Sequence, residues 1–335
     1  MRTYLECFPC LLRQSLTAAQ HVTTDLARQR AVLEAVSEQI PHMDLNATPA
    51  DNGNTVHQIT RQVLDSDDPF REVKQTSNRI CLDVLPHYRQ VVAESPDPLL
   101  AALRLAAAAN AIDVGPSFGH TYDVAVALDR ILEGRFDFDD YSAFRQQLDA
   151  TDRVLYLADN AGEIVFDRLV IEQLAELGKA VTLVVRGGAI LNDATMEDAD
   201  VAGIHEFADV IASGQRGPGT SLRLANPRFE ERIRNAPLIL SKGQGNYEGL
   251  SGESLRIFFL FRVKCHVVAQ HACAPMGTIV LRSGSKPTHQ DQDQDRHPGQ
   301  ELDRRHNQGE THKEASGIAT STRMPATDTR TISAQ

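Results

Sequence analysis

The feature that most constrains how this chain can fold is a regular alternation of short apolar runs and helical segments after residue 150. VLYLAD (154–159), VTLVVR (181–186), EFADVIAS (206–213), PLILSKG (237–243), IFFLFRVKC (257–265) and GTIVLRS (277–283) read as strands. IVFDRLVIEQLAEL, a segment beginning near NDATMEDAD, and RFEERIRN read as helices between them. Such alternation is the signature of βαβ units and a parallel sheet. The runs are apolar without strict alternation, as strands covered on both faces must be.

Upstream, residues 8 to about 95 carry helical patterning. Leu26, Leu33, Val36 and Ile40 are assigned to one helix face, and Val56, Ile59 and Val63 to another, with PHMDLNATPADNGN (41–54) as the break between them. AESPDPLL (93–100) breaks again before LLAALRLAAAANAID, an Ala-rich helix whose leucine spacing predicts burial. After Gly284 the chain has no aromatic residue and little apolar content, which predicts disorder. The expected organisation is a helical domain over 1–98, an α/β domain over 99–284 and a tail over 285–335.

Charge narrows the function. A net charge of −11 with no basic face argues against nucleic acid or an anionic membrane as partner. The apolar runs fall short of the ~20 residues that cross a bilayer. MRTYLECFPC lacks the uninterrupted apolar core of a signal peptide, so the expected location is the cytoplasm. Five cysteines, an odd number, then suggest reduced thiols rather than a disulfide framework.

In an open α/β sheet, ligands sit outside the carboxyl ends of the strands. Polar clusters stand at such ends: Asp159-Asn160-Ala161-Gly162-Glu163, then Gly187 to Thr195 with Asn192 and Asp193, then Lys242-Gly243-Gln244-Gly245-Asn246. Two carboxylates and a carboxamide are hard oxygen donors, and with no His or Cys nearby in sequence they suit Mg²⁺ or Mn²⁺ better than zinc. The lysine and the glycine-rich backbone of the last cluster would offer positive charge and N–H donors to a phosphate, aided by helix starts near Gly162 and Asp193. Either acidic cluster alone reads more readily as a helix cap than as a metal site; all of them together reverse that preference and point to metal-assisted phosphate chemistry. The glycines at 243, 245 and 249 miss the dinucleotide spacing, and no Walker loop is present. A phosphoaspartate mechanism is not assigned, because the second aspartate it needs is replaced by Ala161.

CFPCLLRQ, DPFREVKQTSN, NAIDVG, ADNAGEIVFD, GGAILNDATMEDA, SKGQGNYEGL and FLFRVKCHVVA occur in the order seen in the damage-control phosphatase family, also known as the metal-binding domain of acidic-residue-methyltransferase-like proteins. The chain resembles that family from about residue 4 to about 283, and its Cys-x-x-Cys resembles the prokaryotic branch. The resemblance implies a helical region followed by a Rossmann-like α/β/α sandwich with a metal-dependent phosphatase site. It puts the metal ligands on Asp159, Asn160 and Asp193, and phosphate contacts on Lys242 and Gly243. It implies small phosphorylated metabolites as substrates, including sugar phosphates and phosphopantetheine-like compounds, with Mg²⁺, Mn²⁺, Co²⁺ or Ni²⁺. Ala189 stands where the family commonly has Pro, and the tail has no counterpart in it.

Further assignments follow from position. Glu163 is the nearest candidate acid or base, or else a first-turn carboxylate favoured by the helix dipole. Gly245, Asn246 and Arg186 are expected near the phosphate, and Arg186 could equally pair with a neighbouring acid. Asn110 and Asp113 could reach the substrate, support the site residues from behind, or cap their helix. Cys7 and Cys10 supply only half of a structural zinc site, and a second metal, a redox role or packing all stay open. Carboxyl methyl transfer from S-adenosylmethionine is the competing activity, weakened by the lack of a nucleoside-binding glycine loop after the first strand; a non-catalytic metal or nucleotide-binding module is the other alternative.

Overall fold

The computed structural model describes residues 1–110, 126, 128, 129, 132 and 136–284 of the 335. Asp113 and the tail over 285–335 lie outside the described residues. All the described residues belong to one unit, Met1–Gln292.

Helices α1 (Cys7–Val22), α2 (Leu26–Gln39), α3 (Pro49–Leu64), α4 (Arg71–Ala93) and α5 (Pro98–Ala109) come first. The strands are β1 (Phe136–Asp137), β2 (Arg153–Leu157), β3 (Ala180–Val185), β4 (Asp209–Ala212), β5 (Ile239–Lys242), β6 (Ile257–Arg262) and β7 (Ile279–Ser283). Between them run α6 (Tyr141–Asp149), α7 (Glu163–Glu176), α8 (Met196–Val201), α9 (Pro227–Arg234), α10 (Gln244–Leu250) and α11 (His266–His271).

The strands form one seven-stranded sheet in the order β1-β7-β6-β5-β2-β3-β4. The pairs from β6 through to β4 are parallel, and β7 runs antiparallel to β6. The expected mixed α/β architecture with a largely parallel sheet is the one observed. The chain moves outward from β2 to β3 and β4, then returns to the other side of β2 as β5. That reversal is a topological switch point, where the loops beyond two neighbouring strands part and leave a crevice.

Both faces of the sheet are covered. Val154, Tyr156, Phe258 and Leu260 pack under helices that contribute Tyr88, Leu103, Phe166 and Val170. Leu155, Leu157, Ile239, Phe259 and Phe261 face the other way, onto Phe229, Tyr247 and Val268. Alternate residues therefore bury on opposite faces, and the runs read as continuously apolar. The Ala-rich helix is α5, whose small residues pack against α7.

Three sequence expectations need correction. Leu26 is 77% exposed, and the buried face of α2 is Val32 and Val36, because Leu26 is the first helical residue and precedes the packed turn. The break read over 41–54 ends at Thr48, and the polar ADNGN is helical and largely buried. A capping box starts that helix, with Thr48 and Asp51 bonding each other's backbone N–H. The segment EFADVIAS pairs only over Asp209–Ala212, since Ile204–Glu206 forms a 3₁₀ turn.

Candidate active site

The ends of β2, β3 and β5 are brought level by register, with Leu157 opposite both Val184 and Ser241. Asp159, Arg186 and Lys242 thus leave the sheet side by side. The chain beyond β3 folds back onto the chain beyond β2: Ala194 N–H donates to Asp159 O, Ala161 N–H donates to Asn192 O, and Asn160 forms an isolated bridge with Asp193. Leu191 takes a φ of 46° in this loop and packs against the α1–α3 core. A non-glycine residue in that region costs of order 1–3 kcal/mol and persists only where its surroundings hold it.

The turn into α7 requires Gly162. Its φ is +76°, and a Cβ there would lie 2.9 Å from Ser77 Cβ. Its N–H is taken by Asn78 Oδ1 at 2.6 Å, and Asn78 Nδ2 donates to Asp198 Oδ1 at 2.8 Å. The second helix start lies beyond Asp193, at Thr195, whose N–H is capped by Asp198. Both amides are internal to the protein rather than open to an anion.

Asp159 and Glu163 share a donor. Asn110, the C-cap of α5, gives Nδ2 to Asp159 Oδ2 at 2.8 Å and to Glu163 Oε2 at 2.6 Å. Asn160 Nδ2 reaches the same two oxygens at 3.0 and 3.3 Å. Asn110 Oδ1 is buried and has no hydrogen-bond partner among the described residues.

Beneath them lies a charge cluster that sequence reasoning only partly found. Lys242 Nζ donates to Glu163 Oε1, to Asp167 Oδ1 at 2.6 Å and to Ala106 O at 3.1 Å, and Tyr156 OH donates to Asp167 at 2.7 Å. An ammonium has three hydrogens, and all three are committed in a side chain that is 0% exposed. The expected phosphate contact therefore meets a lysine turned inward. Burial pushes its pKa down, but Asp167 and Glu163 more than offset that and hold it above the ordinary value. Burial pushes Glu163 up to about 7, opposed by Lys242 and reinforced by Asp167 and Asp159. Burial raises Asp167 as well. Asp167 escaped the sequence reading, although its spacing of four from Glu163 puts both on one helix face.

Arg186 and Asn246 are likewise inward. Arg186 Nε donates to Asp193 Oδ2 at 2.7 Å, with Nη1 on Thr220 Oγ1 at 3.1 Å and Nη2 on Asn246 Oδ1 at 3.0 Å. Asn246 Nδ2 donates to Ala158 O and Lys242 O. Of the two readings of Arg186, the structure shows the pairing with a neighbouring acid. Burial raises Asp193 to about 6; Arg186 opposes this, and Asp159 adds to it.

Gly243 has a φ of +81°, and a Cβ there would overlap the Asp159 carboxylate. Its N–H is spent on Leu260 O. Gly245 packs against the backbone at Gly219. Cys7 and Cys10 occupy the first turn of α1, half-buried and free, and burial raises Cys7 to about 11. Among the described residues no three His, Cys, Asp or Glu side chains gather as a metal cage.

A cation would fit the donor set of Asp159, Asn160 and Asp193. Oδ2 of each carboxylate carries the side-chain donors, while Oδ1 of each has none among the described residues. Asp159 also raises the proton affinity of Asp193, a repulsion that a cation relieves. A cavity of about 300 Å³ lies beside this cluster rather than over it, between α4 and α8, lined by Arg71, Lys74, Arg79, Glu197 and Asp198, with Asn78 in its wall.

The chain is similar to known proteins over most of its length. Residues 3–280 match the family model described as the damage-control phosphatase ARMT1-like domain. A damage-control phosphatase of Pyrococcus horikoshii is 32% identical over 283 residues, covering 84% of this chain and 97% of that protein. A damage-control phosphatase of Archaeoglobus fulgidus is 30% identical over 285 residues, covering 82% and 97%. An uncharacterised protein of Methanocaldococcus jannaschii is 32% identical over 291 residues, covering 82% and 93%. The crystal structure of a DUF89 family protein from P. horikoshii superposes with a TM-score of 0.78 at 30% identity, covering 85% of this chain and 100% of that one.

Proposed function

Because the chain belongs to the ARMT1-like damage-control phosphatase family, we propose that it is a metal-dependent phosphatase releasing inorganic phosphate from a small phosphorylated metabolite, a sugar phosphate or a nucleotide- or phosphopantetheine-like compound. The observation that carries the reading is the convergence of Asp159, Asn160 and Asp193 at the switch point, each acid with one oxygen clear of side-chain donors among the described residues.

These residues would hold Mg²⁺ or Mn²⁺, with Co²⁺ or Ni²⁺ as substitutes. When bound, such an ion neutralises phosphoryl charge and makes water a better nucleophile at neutral pH. Glu163 moves the proton: its pKa of about 7 suits an acid or base near neutrality. Lys242 keeps Glu163 in place and balances its charge from below. Asn110 fixes the spacing of Glu163 from Asp159 through its Nδ2. Lys264 is exposed, and its charge acts on Asp193, so it is the candidate for the phosphate contact that Lys242 is too buried to make. Among the described residues no helix is long and apolar enough to cross a membrane.

The test is hydrolysis of an aryl phosphate by metal-stripped protein with Mg²⁺, Mn²⁺, Co²⁺ or Ni²⁺ restored singly, beside Asp159→Ala. Turnover that needs metal and is lost in the folded variant supports the reading. Stoichiometric metal binding without turnover of any phosphoester would leave a binding module in its place.

A further inference from the structure

The loop from Ser213 to Ser221 connects β4 to α9, yet it threads between the functional turns. A Cβ on Gly187 would overlap the backbone of Gly214, one on Gly219 the carbonyl of Gly245, and one on Gly249 the carbonyl of Thr220. The loop is thus laid down in backbone contact with the turns that follow β3 and β5.

Its hydroxyls are spent in opposite directions. Thr220 Oγ1 donates to Asn246 Oδ1 at 2.8 Å and accepts from Arg186 Nη1 at 3.1 Å. Asn246 in turn holds Ala158 O, next to Asp159, and Lys242 O, while Arg186 holds Asp193. Thr220 therefore touches the junction where the ends of β2, β3 and β5 are tied together, and it is 1% exposed. The next residue faces the other way: Ser221 Oγ donates to Asp51 Oδ1 at 2.6 Å, and Ser221 backbone is held on both sides by the Gln215 amide. Asp51 is itself fixed by Thr48 N–H and by Arg223 Nε, each at 3.1 Å.

We propose that Thr220 is a positioning residue for the metal-binding and catalytic group, setting the orientation of Asp193 through Arg186, with Asp51 of α3 anchoring it through Ser221. Its catalytic consequence rests on the phosphatase reading. Removing the hydroxyl strands a buried guanidinium N–H and leaves Asn246 one donor short, so both partners of the acidic strand ends loosen. Outer-shell partners of this kind typically matter by about 10- to 100-fold in metal affinity or activity.

The experiment compares full-length Thr220→Val, Thr220→Ser and Asp51→Asn with wild type, each well below its own unfolding temperature. Mn²⁺ affinity is titrated calorimetrically, kcat and KM are measured on an aryl phosphate, and the exchange rate of the Arg186 Nε–H is read by NMR. Thr220→Val should weaken Mn²⁺ binding and kcat/KM by about 10- to 100-fold and accelerate Arg186 exchange, Thr220→Ser should restore both, and Asp51→Asn should move them the same way by less. Wild-type affinity and protection in folded Thr220→Val, or equal losses in the Val and Ser variants, would overturn the proposal. If wild type neither binds Mn²⁺ nor hydrolyses ester, the phosphatase reading fails instead. Arg186 exchange then decides the clamp alone: acceleration in Thr220→Val supports it, and unchanged exchange overturns it.

Discussion

Replacing Lys242 with methionine separates two roles that a buried lysine can play. The side chain is fully buried, and its three hydrogens go to Glu163, Asp167 and Ala106 O. Removing one partner of a buried ion pair typically costs about 3–5 kcal/mol, because the remaining charge has no compensation. That loss can be escaped by protonating the acids. Lys242 is the largest influence holding Glu163 and Asp167 down against burial, so without it both rise further. An acid whose folded pKa exceeds its unfolded one binds a proton in the native state that the unfolded chain releases, and stability falls as pH rises through that window. At pH 5 Lys242→Met should therefore lose little more than one neutral hydrogen bond, about 1 kcal/mol. At pH 8 the loss should approach the full ~3–5 kcal/mol, a Tm lower by roughly 6–20 °C. Urea and thermal unfolding of metal-free protein at the two pH values reads this directly. An equal loss at both, or an intact stability with activity gone, would refute the reasoning and return Lys242 to direct contact with phosphate.

Other outcomes follow from particular contacts. Gly243→Ala should abolish phosphatase turnover, since its Cβ would displace the Asp159 carboxylate, whereas Gly178→Ala, with a similar φ of +75° but open space, should cost only about 1 kcal/mol and leave activity intact; equal activity in both would refute the steric argument. Burial lowers His57 to about 3, so the unfolded chain takes up a proton below about 6.5 that the folded one refuses, and stability present above that value is lost as pH falls through it towards 3. Thermal scans from pH 7 to pH 4 should show a shallower acid limb in His57→Gln than in wild type; identical limbs would count against it.

Much of the site was legible because its chemistry is local. Asp159 and Asn160 follow β2 directly, Asp193 lies in the loop after β3, and Lys242 ends β5, so apolar run and polar terminus appear together in the string. Asn78 was not legible as a partner of Gly162, nor Thr220 as a partner of Arg186, because those pairs are 84 and 34 residues apart and nothing in either neighbourhood encodes the other. Leu26 shows the reverse error: its spacing fits a helix face, but position within the helix decides whether anything covers it.

The succession along the chain of β2 to β7 and the polar residues at the ends of β2, β3 and β5 were determined by the sequence alone, since burial period and turn residues act over a few positions. Only the tertiary structure decided that β5 returns beside β2, which makes neighbours of Asp159 and Lys242 at the switch point. The same arrangement turns Lys242 and Arg186 inward. A charged side chain with buried carboxylates in reach keeps its partners rather than facing solvent, and which partners are in reach depends on the crossing of distant strands.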